Sequence, residues 1–184
     1  AERCGGRCHP HEPFLTAVVR LPDGVRLDIA TARTEFYRSP AALPEVESSA
    51  IRLDLYRRDF TINAMAIHLA PGNLGELVDF FGGQRDLAVR QLRVLHSLSF
   101  LDDPTRAIRA VRFATRLGFE IAAETAHLAR VAVQERVFDR LTGERLREEL
   151  ADLLDEIRAV EALAELDRLG VFAAVLPGPR WSAT

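Results

Sequence analysis

The sequence contains no lysine, so all 24 of its basic residues are arginines. The net charge of −3 provides no general attraction to nucleic acid, although arginine is well suited to two-pronged recognition of phosphates and bases. No apolar run is long enough to span a membrane, and no basic and apolar signal segment opens the sequence. We therefore expect a cytoplasmic protein with no membrane partner. The composition carries no signal about the oligomeric state.

Cysteine is scarce, and both cysteines lie in the segment CGGRCHPH near the start of the sequence. Cys4, Cys8, His9 and His11 are all possible zinc ligands, but structural zinc sites usually bring two separated pairs together. A single terminal cluster rich in glycine therefore favours a tail over residues 1–12, either disordered or foreign to the domain. A metal site remains the alternative.

Predicted strands precede predicted helices along the chain. FLTAVVR (14–20) and VRLDIATAR (25–33) flank the turn signal LPDG, which predicts a β-hairpin. Residues 34–50 are predicted to form a loop, and MAIHL and LVDFF are predicted as short strands on either side of PGNLGE. From residue 98 the pattern is helical, and the first long helix has Asp103 as N-cap, Pro104 at its first position and Gly118 at its end. This order predicts an α+β fold.

Four arginines follow one side of that first long helix, within an arc of about 120° at helical spacing. A solvated basic face is the simplest interpretation of this arc, whose members are Arg106, Arg109, Arg112 and Arg116.

A second interpretation concerns the start of the helix, where Asp102 and Asp103 lie beside Arg106. Carboxylates at this position can cap the helix and suit its dipole. A carboxylate beside a guanidinium can also grip a base, because it accepts from an exocyclic amino group while the guanidinium donates to the neighbouring ring acceptor. Cytosine and adenine present that pattern, whereas guanine and uracil invert it.

The stretch RRDFTINAMA (57–66) places charged and amide groups within an apolar segment. If a helix begins near Asp59, then Asn63 lies on the same face of it, four residues later. A structural network of arginine, aspartate and asparagine is one interpretation, and the spacing alone favours it. The other is a site in which Asp59, Asn63 and a preceding arginine hold a sugar hydroxyl and a phosphate.

Four motifs in order carry a resemblance to a known family: RRDFTINAMA, DFFGGQRDL (79–87), FLDDPTRAIRAVRFATRLGF (100–119) and GERLREEL (143–150). Together they resemble the class II tRNA nucleotidyltransferases, a family of CCA-adding enzymes with CC-adding, A-adding and poly(A) polymerase relatives. The resemblance implies a partial polymerase β-like head sheet over residues 13–97, lacking its first strands. A helical neck over 98–155 and the start of a helical body over 156–184 would follow, so the sequence resembles a member truncated at both ends.

The resemblance also implies roles for individual residues. Arg58, Asp59 and Asn63 would bind the ribose and phosphates of a nucleotide. Asp102, Asp103 and Arg106 would read its base, although Asp102 stands where the family has glutamate, and Arg109 joins the nucleotide-binding candidates. Glu144, Arg145 and Arg147 would support the neck, and Asp79 with Gly82 and Gly83 resembles a hinge.

Metal binding in this family requires two aspartates separated by one residue, and no such pair occurs before residue 14. Asp28 is a candidate third carboxylate for catalysis, with an exposed strand residue as the competing interpretation. Two-metal phosphoryl transfer depends on such ligands. We therefore expect Mg²⁺ as the cofactor of the intact enzyme and no catalysis by this chain alone.

The activity implied by the resemblance is addition of CMP or AMP to the 3′ end of tRNA. CTP and ATP would be the donors, pyrophosphate would be released, and no nucleic-acid template would be needed. The segments SPAALPEVESSA and VLHSLSFLDDPTR resemble the A-adding branch in particular. The alternatives are a bacterial poly(A) polymerase and a catalytically dead remnant that binds nucleotide or RNA.

Overall fold

The N-terminal part of the protein is a three-stranded antiparallel sheet, seen in a computed structural model that describes residues 3, 5–11, 15–36, 45–48, 50–176, 178 and 182. Its strands β1 (Arg7–His11), β2 (Thr16–Arg20) and β3 (Arg26–Ala30) lie in sequence order. The β2–β3 pair, joined through the LPDG turn, confirms the predicted hairpin, with Val18 opposite Asp28.

Strand β1 corrects the prediction of a tail over residues 1–12. Residues 7–11 pair with β2 along their whole length, with Cys8 opposite Val19. The physical reason is that β2 offers a free edge on the side away from β3, and pairing there satisfies backbone groups on both strands. Cys8 is exposed, and Cys4 lies outside the described residues.

A strand pair and a short helix follow the three-stranded sheet. Strands β4 (Arg33–Phe36) and β5 (Glu45–Ser48) pair antiparallel within the segment predicted as a loop, and helix α1 spans Ile51–Tyr56. The chain divides into two compact units, one formed by Ala1–Phe36 with Glu45–Asp54 and the other by Tyr37–Pro44 with Leu55–Thr184. The predicted head, neck and body boundaries stay predictions.

The second unit combines short strands with helices, which confirms the α+β class. Its short elements are a 3-10 turn (Thr61–Asn63), β6 (Met65–Ile67), β7 (Leu77–Asp79), β8 (Gln91–Leu92), β9 (Glu120–Ile121) and a second 3-10 turn (Val137–Arg140). Its helices are α2 (Gly83–Ala88), α3 (Ser99–Asp102), α4 (Thr105–Leu117), α5 (Ala123–Gln134), α6 (Gly143–Leu154), α7 (Ala159–Arg168) and α8 (Val171–Val175).

Helix α4 lies at the centre of this unit, and its ends follow the sequence signals. Asp103 has extended backbone angles and its side chain accepts from the Thr105 backbone N–H at 3.2 Å, so it caps the first turn as predicted. At the other end Gly118 adopts φ 66°, which favours glycine. Ile108 and Val111 are fully buried in the core, so α4 is anchored there by its apolar face.

None of the helices in the described part of the chain is both long and apolar enough to cross a membrane.

Candidate functional site

Asp59 is the centre of a hydrogen-bond network in the second unit. Its Oδ1 accepts from Asn63 Nδ2 at 3.0 Å and from the Phe60 N–H at 2.9 Å. Its Oδ2 accepts from Arg109 Nε at 3.0 Å and from Arg109 Nη2 at 2.5 Å. Burial acts to raise the pKa of Asp59, but the hydrogen bonds from Arg109 and Asn63 outweigh it and hold the pKa below its ordinary value. The Asp59 carboxylate is therefore ionised at neutral pH.

The backbone around Asp59 differs from the predicted helix. Residues 61–63 form a 3-10 turn, in which the Asn63 N–H donates to the Phe60 carbonyl, and no α-helix begins at Asp59. The turn nevertheless brings Asn63 back onto Asp59. The exposed Arg58 lies beside both, since its Nη1 is 3.4 Å from the Asn63 carbonyl. The structure thus brings together the three residues predicted to bind ribose and phosphates, while that role stays a prediction.

The predicted base-reading residues lie at or just before the start of α4, and Asp103 and Arg106 have different partners there. Arg106 is buried and donates to Ser99 Oγ at 3.0 Å and to the Arg57 carbonyl at 2.7 Å. Asp103 Oδ1 accepts from Arg145 Nη2 at 2.8 Å. Asp102, at the end of α3, is half-buried. The described contacts hold Asp103 and Arg106 in place through different neighbours.

The arginine arc of α4 is not the solvated face that its sequence favours. Arg112 Nη1 lies 2.6 Å from Asp152 Oδ2, and Arg116 pairs with Glu156. Arg109 Nη1 lies 3.6 Å from Glu149 Oε1. The interpretation as a solvated face is therefore wrong for the buried Arg106 and Arg112 and for the partly buried Arg109, whereas Arg116 is exposed.

A sequence signal for this pairing existed. The last three arginines of α4 are spaced by three and then four residues, and so are the acidic residues that they meet, so each pair joins residues 40 apart. Matching spacings on two helices indicate facing rows of charge. The three pairs are Arg109 with Glu149, Arg112 with Asp152, and Arg116 with Glu156.

Among the acidic residues of these three pairs, Glu149 has an incompletely satisfied carboxylate. Its Oε2 is buried without a hydrogen-bond partner among the described residues, and Arg112 Nη2 is 3.8 Å away from it. Burial raises the pKa of Glu149 above its ordinary value, although Arg109 and Arg112 act to lower it. Charge neighbours without hydrogen bonds compensate a buried carboxylate only in part.

Asp79 caps the segment that was predicted as a hinge. Its Oδ1 accepts from the backbone N–H groups of Phe81, Gly82 and Gly83 at 3.2, 2.8 and 2.9 Å, and its Oδ2 accepts from Gln84 at 2.9 Å. Burial acts to raise the pKa of Asp79, but these four donors lower it overall. One carboxylate thus accepts hydrogen bonds from the backbone N–H groups at the start of α2. The hinge role of this segment stays a prediction.

Asp28 lies in the first unit, on strand β3. Its carboxylate is 2.8 Å from Arg26 Nη2, and both side chains are more than half exposed. Within the described residues, no group of three or more His, Cys, Asp or Glu side chains is placed to hold a metal ion. The role of Asp28 as a third catalytic carboxylate stays a prediction, and the metal site at Cys4, Cys8, His9 and His11 stays the less favoured alternative.

Comparison with known families gives a direct assignment. Residues 2–93 match the family described as the Poly A polymerase head domain. The chain belongs to this family. Residues 118–181 match a second family, described as the probable RNA and SrmB-binding site of polymerase A. The head-domain match begins at residue 2 and includes strand β1.

Relatives of this head-domain family support the resemblance noted in the sequence. An A-adding tRNA nucleotidyltransferase of Geobacter sulfurreducens is 46% identical over 177 residues, which are 96% of this chain and 20% of that protein. One of Halalkalibacterium halodurans is 45% identical over 94% of this chain and 41% of that protein. The chain thus spans less than half the length of these relatives.

Solved structures agree. A CCA-adding enzyme in its second apo form superposes with a TM-score of 0.94 at 48% identity, covering 99% of this chain and 43% of that chain. A Thermotoga maritima CCA-adding enzyme complexed with tRNA has a TM-score of 0.84 at 42% identity, covering 99% of this chain and 41% of that one. Other matching structures are of a CCA-adding enzyme with ATP and a tRNA-processing enzyme with CTP. The predicted resemblance to tRNA nucleotidyltransferases is confirmed.

Proposed function

We propose that this chain is the nucleotide-selecting part of a tRNA nucleotidyltransferase, in which ATP or CTP donates a nucleotide to the 3′ end of tRNA and pyrophosphate leaves. The observation that carries the proposal is the network of Arg58, Asp59 and Asn63 on the 57–63 segment, which Arg109 ties to α4. The relatives named as A-adding enzymes and the solved complexes with ATP, CTP and tRNA support it.

Each part of the site has a role in this proposal. The amide of Asn63, oriented by Asp59, presents its carbonyl oxygen and second N–H to a ribose hydroxyl, and the exposed Arg58 meets the phosphates. Asp103 and Arg106 at the start of α4 supply the acceptor and donor that match cytosine and adenine. Arg109 connects the proposed ribose and phosphate site to the proposed base site, because it joins Asp59 to the helix that carries Arg106.

We propose Mg²⁺ as the cofactor of the whole enzyme and the cytoplasm, where a tRNA substrate is found, as its location. Phosphoryl transfer draws on Mg²⁺ to neutralise the triphosphate. The described residues do not form a group of three or more side chains that fits this ion. We further propose that this chain does not transfer nucleotides alone, because no two aspartates separated by one residue precede residue 14.

Within the family, A-adding specialisation is the narrower candidate, supported by the names of three relatives that cover most of this chain. A poly(A) polymerase and a catalytically dead nucleotide- or RNA-binding remnant are the competing functions. Incubation of a longer protein containing this chain with ATP and tRNA ending in CC separates them. One added residue indicates an A-adding or CCA-adding enzyme, a long tail indicates a poly(A) polymerase, and no addition indicates a remnant.

Nucleotide binding by the chain itself is tested by thermal unfolding with ATP and CTP. A ligand that binds the folded state raises the melting temperature. We expect Asn63→Ala to abolish the rise. Asn73→Ala is the matched control, because Asn73 also donates to a carboxylate, that of Glu76, on an exposed loop. An equal rise in Asn63→Ala and in the unchanged chain would contradict the proposed site.

A further inference from the structure

Asp86 in α2 is a carboxylate that the site described so far does not use. Its side chain is completely buried, and its Oδ2 accepts from Thr61 Oγ1 at 2.7 Å and from Arg93 Nε at 3.2 Å. Its Oδ1 lies 3.5 Å from Arg85 Nη2. A buried carboxylate is costly unless it is paired and hydrogen-bonded, so Asp86 has defined partners and a defined position.

The hydroxyl held by Asp86 belongs to the first residue of the 3-10 turn. Thr61 is held a second time, because its backbone N–H donates to the Arg93 carbonyl at 3.0 Å. The last residue of the same turn is Asn63, whose side chain donates to Asp59. The position of Thr61 therefore sets where the Asn63 amide meets the Asp59 carboxylate.

Gly83 shows how closely α2 is packed against this turn. A Cβ atom at Gly83 would lie 2.5 Å from the Thr61 carbonyl oxygen and 2.9 Å from Met65 Cγ. Only a residue without a side chain allows this approach. The backbone of α2 thus contacts the turn at its start, and the Asp86 carboxylate contacts it one helical turn later.

We infer that Asp86 is a positioning residue for the nucleotide site, acting through the Thr61 hydroxyl to fix the turn that carries Asn63. The inference rests on the proposed function, and it extends the site to a residue that cannot itself touch a ligand because it is fully buried. A role in stability alone would lower the free energy of unfolding without changing the affinity of the folded chain for nucleotide.

Two substitutions of Thr61 separate these roles. Thr61→Val keeps the shape and removes the hydroxyl, whereas Thr61→Ser keeps the hydroxyl and removes a methyl group. We expect Thr61→Val to raise the Kd for ATP about tenfold, the effect of one charge-assisted hydrogen bond, and Thr61→Ser to change it less than about twofold. Thr125→Val is the control, because Thr125 is also buried and its hydroxyl accepts from the Val94 N–H.

Titration calorimetry with ATP measures the affinities, and the side-chain amide resonances of Asn63 report its geometry without ligand. We expect these resonances to shift in Thr61→Val and to stay in place in Thr61→Ser and Thr125→Val. Asp86→Asn should also weaken ATP binding. The double variant Asp86→Asn with Thr61→Val should bind ATP only slightly more weakly than Asp86→Asn alone, because the two residues are partners in one hydrogen bond.

The outcomes distinguish the inference from the proposed function. If the unchanged chain binds no ATP, the proposed function fails, and the Asn63 resonances alone then decide whether Asp86 positions the turn. Resonances that do not move in Thr61→Val overturn the inference in every case. Equal ATP affinity of Thr61→Val and Thr61→Ser, in a chain that binds ATP, also overturns it.

Discussion

Arg109 of α4 donates from Nε and Nη2 to the same oxygen of Asp59, at 3.0 and 2.5 Å, across 50 positions of sequence. One turn earlier on the same helix, Arg106 donates to the Arg57 carbonyl. Two successive arginines of α4 therefore hold the 57–59 segment. Charge-assisted bonds of this kind are among the stronger hydrogen bonds in proteins, so the segment and the helix form one structural element.

The first prediction concerns the Asp59–Arg109 pair. Asp59→Asn removes the charge and one of the two acceptor oxygens, so the single remaining oxygen cannot serve both Arg109 and the donors that now bond to Oδ1. We expect the free energy of unfolding in urea at pH 7 to fall by about 1.5–3 kcal/mol, the usual range for a hydrogen bond to a charged group. The lower part of that range is expected, since the Arg109 side chain is 31% exposed and solvent screens the pair.

Asp28→Asn is the control for Asp59→Asn, because it breaks the exposed pair with Arg26, for which we expect a change below about 0.5 kcal/mol. The pH dependence supplies a second check. The folded state lowers the pKa of Asp59, so its contribution is fully present above the ordinary value of 3.8 and is lost as the pH falls through the lowered pKa. If the unchanged chain and Asp59→Asn still differed in stability at a pH below both the ordinary and the lowered pKa of Asp59, this account would be contradicted.

Much of this fold is predictable from local signals, but the network around Asp59 is not. The hairpin around LPDG and the end of α4 at Gly118 follow from residues that need particular backbone angles. The partners of Arg106 and Arg109 lie about 50 residues away, and their choice depends on how α4 packs in three dimensions. Spacing of residues within one segment carries no information about such partners.

Two segments differ from their predicted structure for the same physical reason. Residues 7–11 carry glycine neighbours, cysteine and histidine, which give no strand pattern, and they become β1 only because β2 provides an edge. The helix predicted at Asp59 is replaced by a 3-10 turn because Thr61 bonds to Arg93 and Asp86 instead of continuing a helix. In both segments tertiary contacts override local preference.

The second prediction concerns Glu149, whose pKa is raised by burial. A carboxyl group with a raised pKa binds more protons in the folded state, so stability falls as the pH rises from the ordinary value of 4.5 through the raised pKa. Glu149→Gln removes this loss. We expect the variant to be equal to or more stable than the unchanged chain at pH 7, and its advantage to shrink as the pH falls through the raised pKa of Glu149 towards 4.5. Urea unfolding at several pH values measures the difference.

Asp152→Asn is the comparison for Glu149→Gln, because Asp152 is 59% exposed and its bond to Arg112 is short, at 2.6 Å. We expect this variant to gain nothing at pH 7. A Glu149→Gln chain that is clearly less stable than the unchanged chain at pH 7 would show that the two arginines compensate the buried carboxylate fully.

The third prediction concerns the close approach at Gly83. Gly83→Ala places a methyl group 2.5 Å from the Thr61 carbonyl oxygen, so either α2 or the 3-10 turn must move. We expect a loss of about 1–3 kcal/mol in the free energy of unfolding, the usual range for overpacking. Gly143→Ala, at the first residue of α6 with no atom within 4 Å of the added carbon, should be neutral or slightly stabilising. Equal stabilities of the two variants would refute the close contact.

The fourth prediction concerns nucleotide selectivity at the start of α4. Arg106 is buried, and its guanidinium is held by Ser99 and the Arg57 carbonyl, so its donors have a fixed direction. If it reads the base together with Asp103, Arg106→Ala should reduce the preference for ATP and CTP over GTP and UTP by about 1–3 kcal/mol. Affinities for the four triphosphates, measured by calorimetry, give the preference as a ratio that is independent of any overall loss of binding.

Arg116→Ala is the control for Arg106→Ala, because Arg116 lies on the same helix and pairs with Glu156 at its exposed end. This variant should leave the ratio of affinities unchanged. If Arg106→Ala weakens the binding of all four triphosphates equally, the guanidinium only supports the 57–59 segment. The discrimination between bases must then come from other residues, and Asp103, held by Arg145, is the next carboxylate to test.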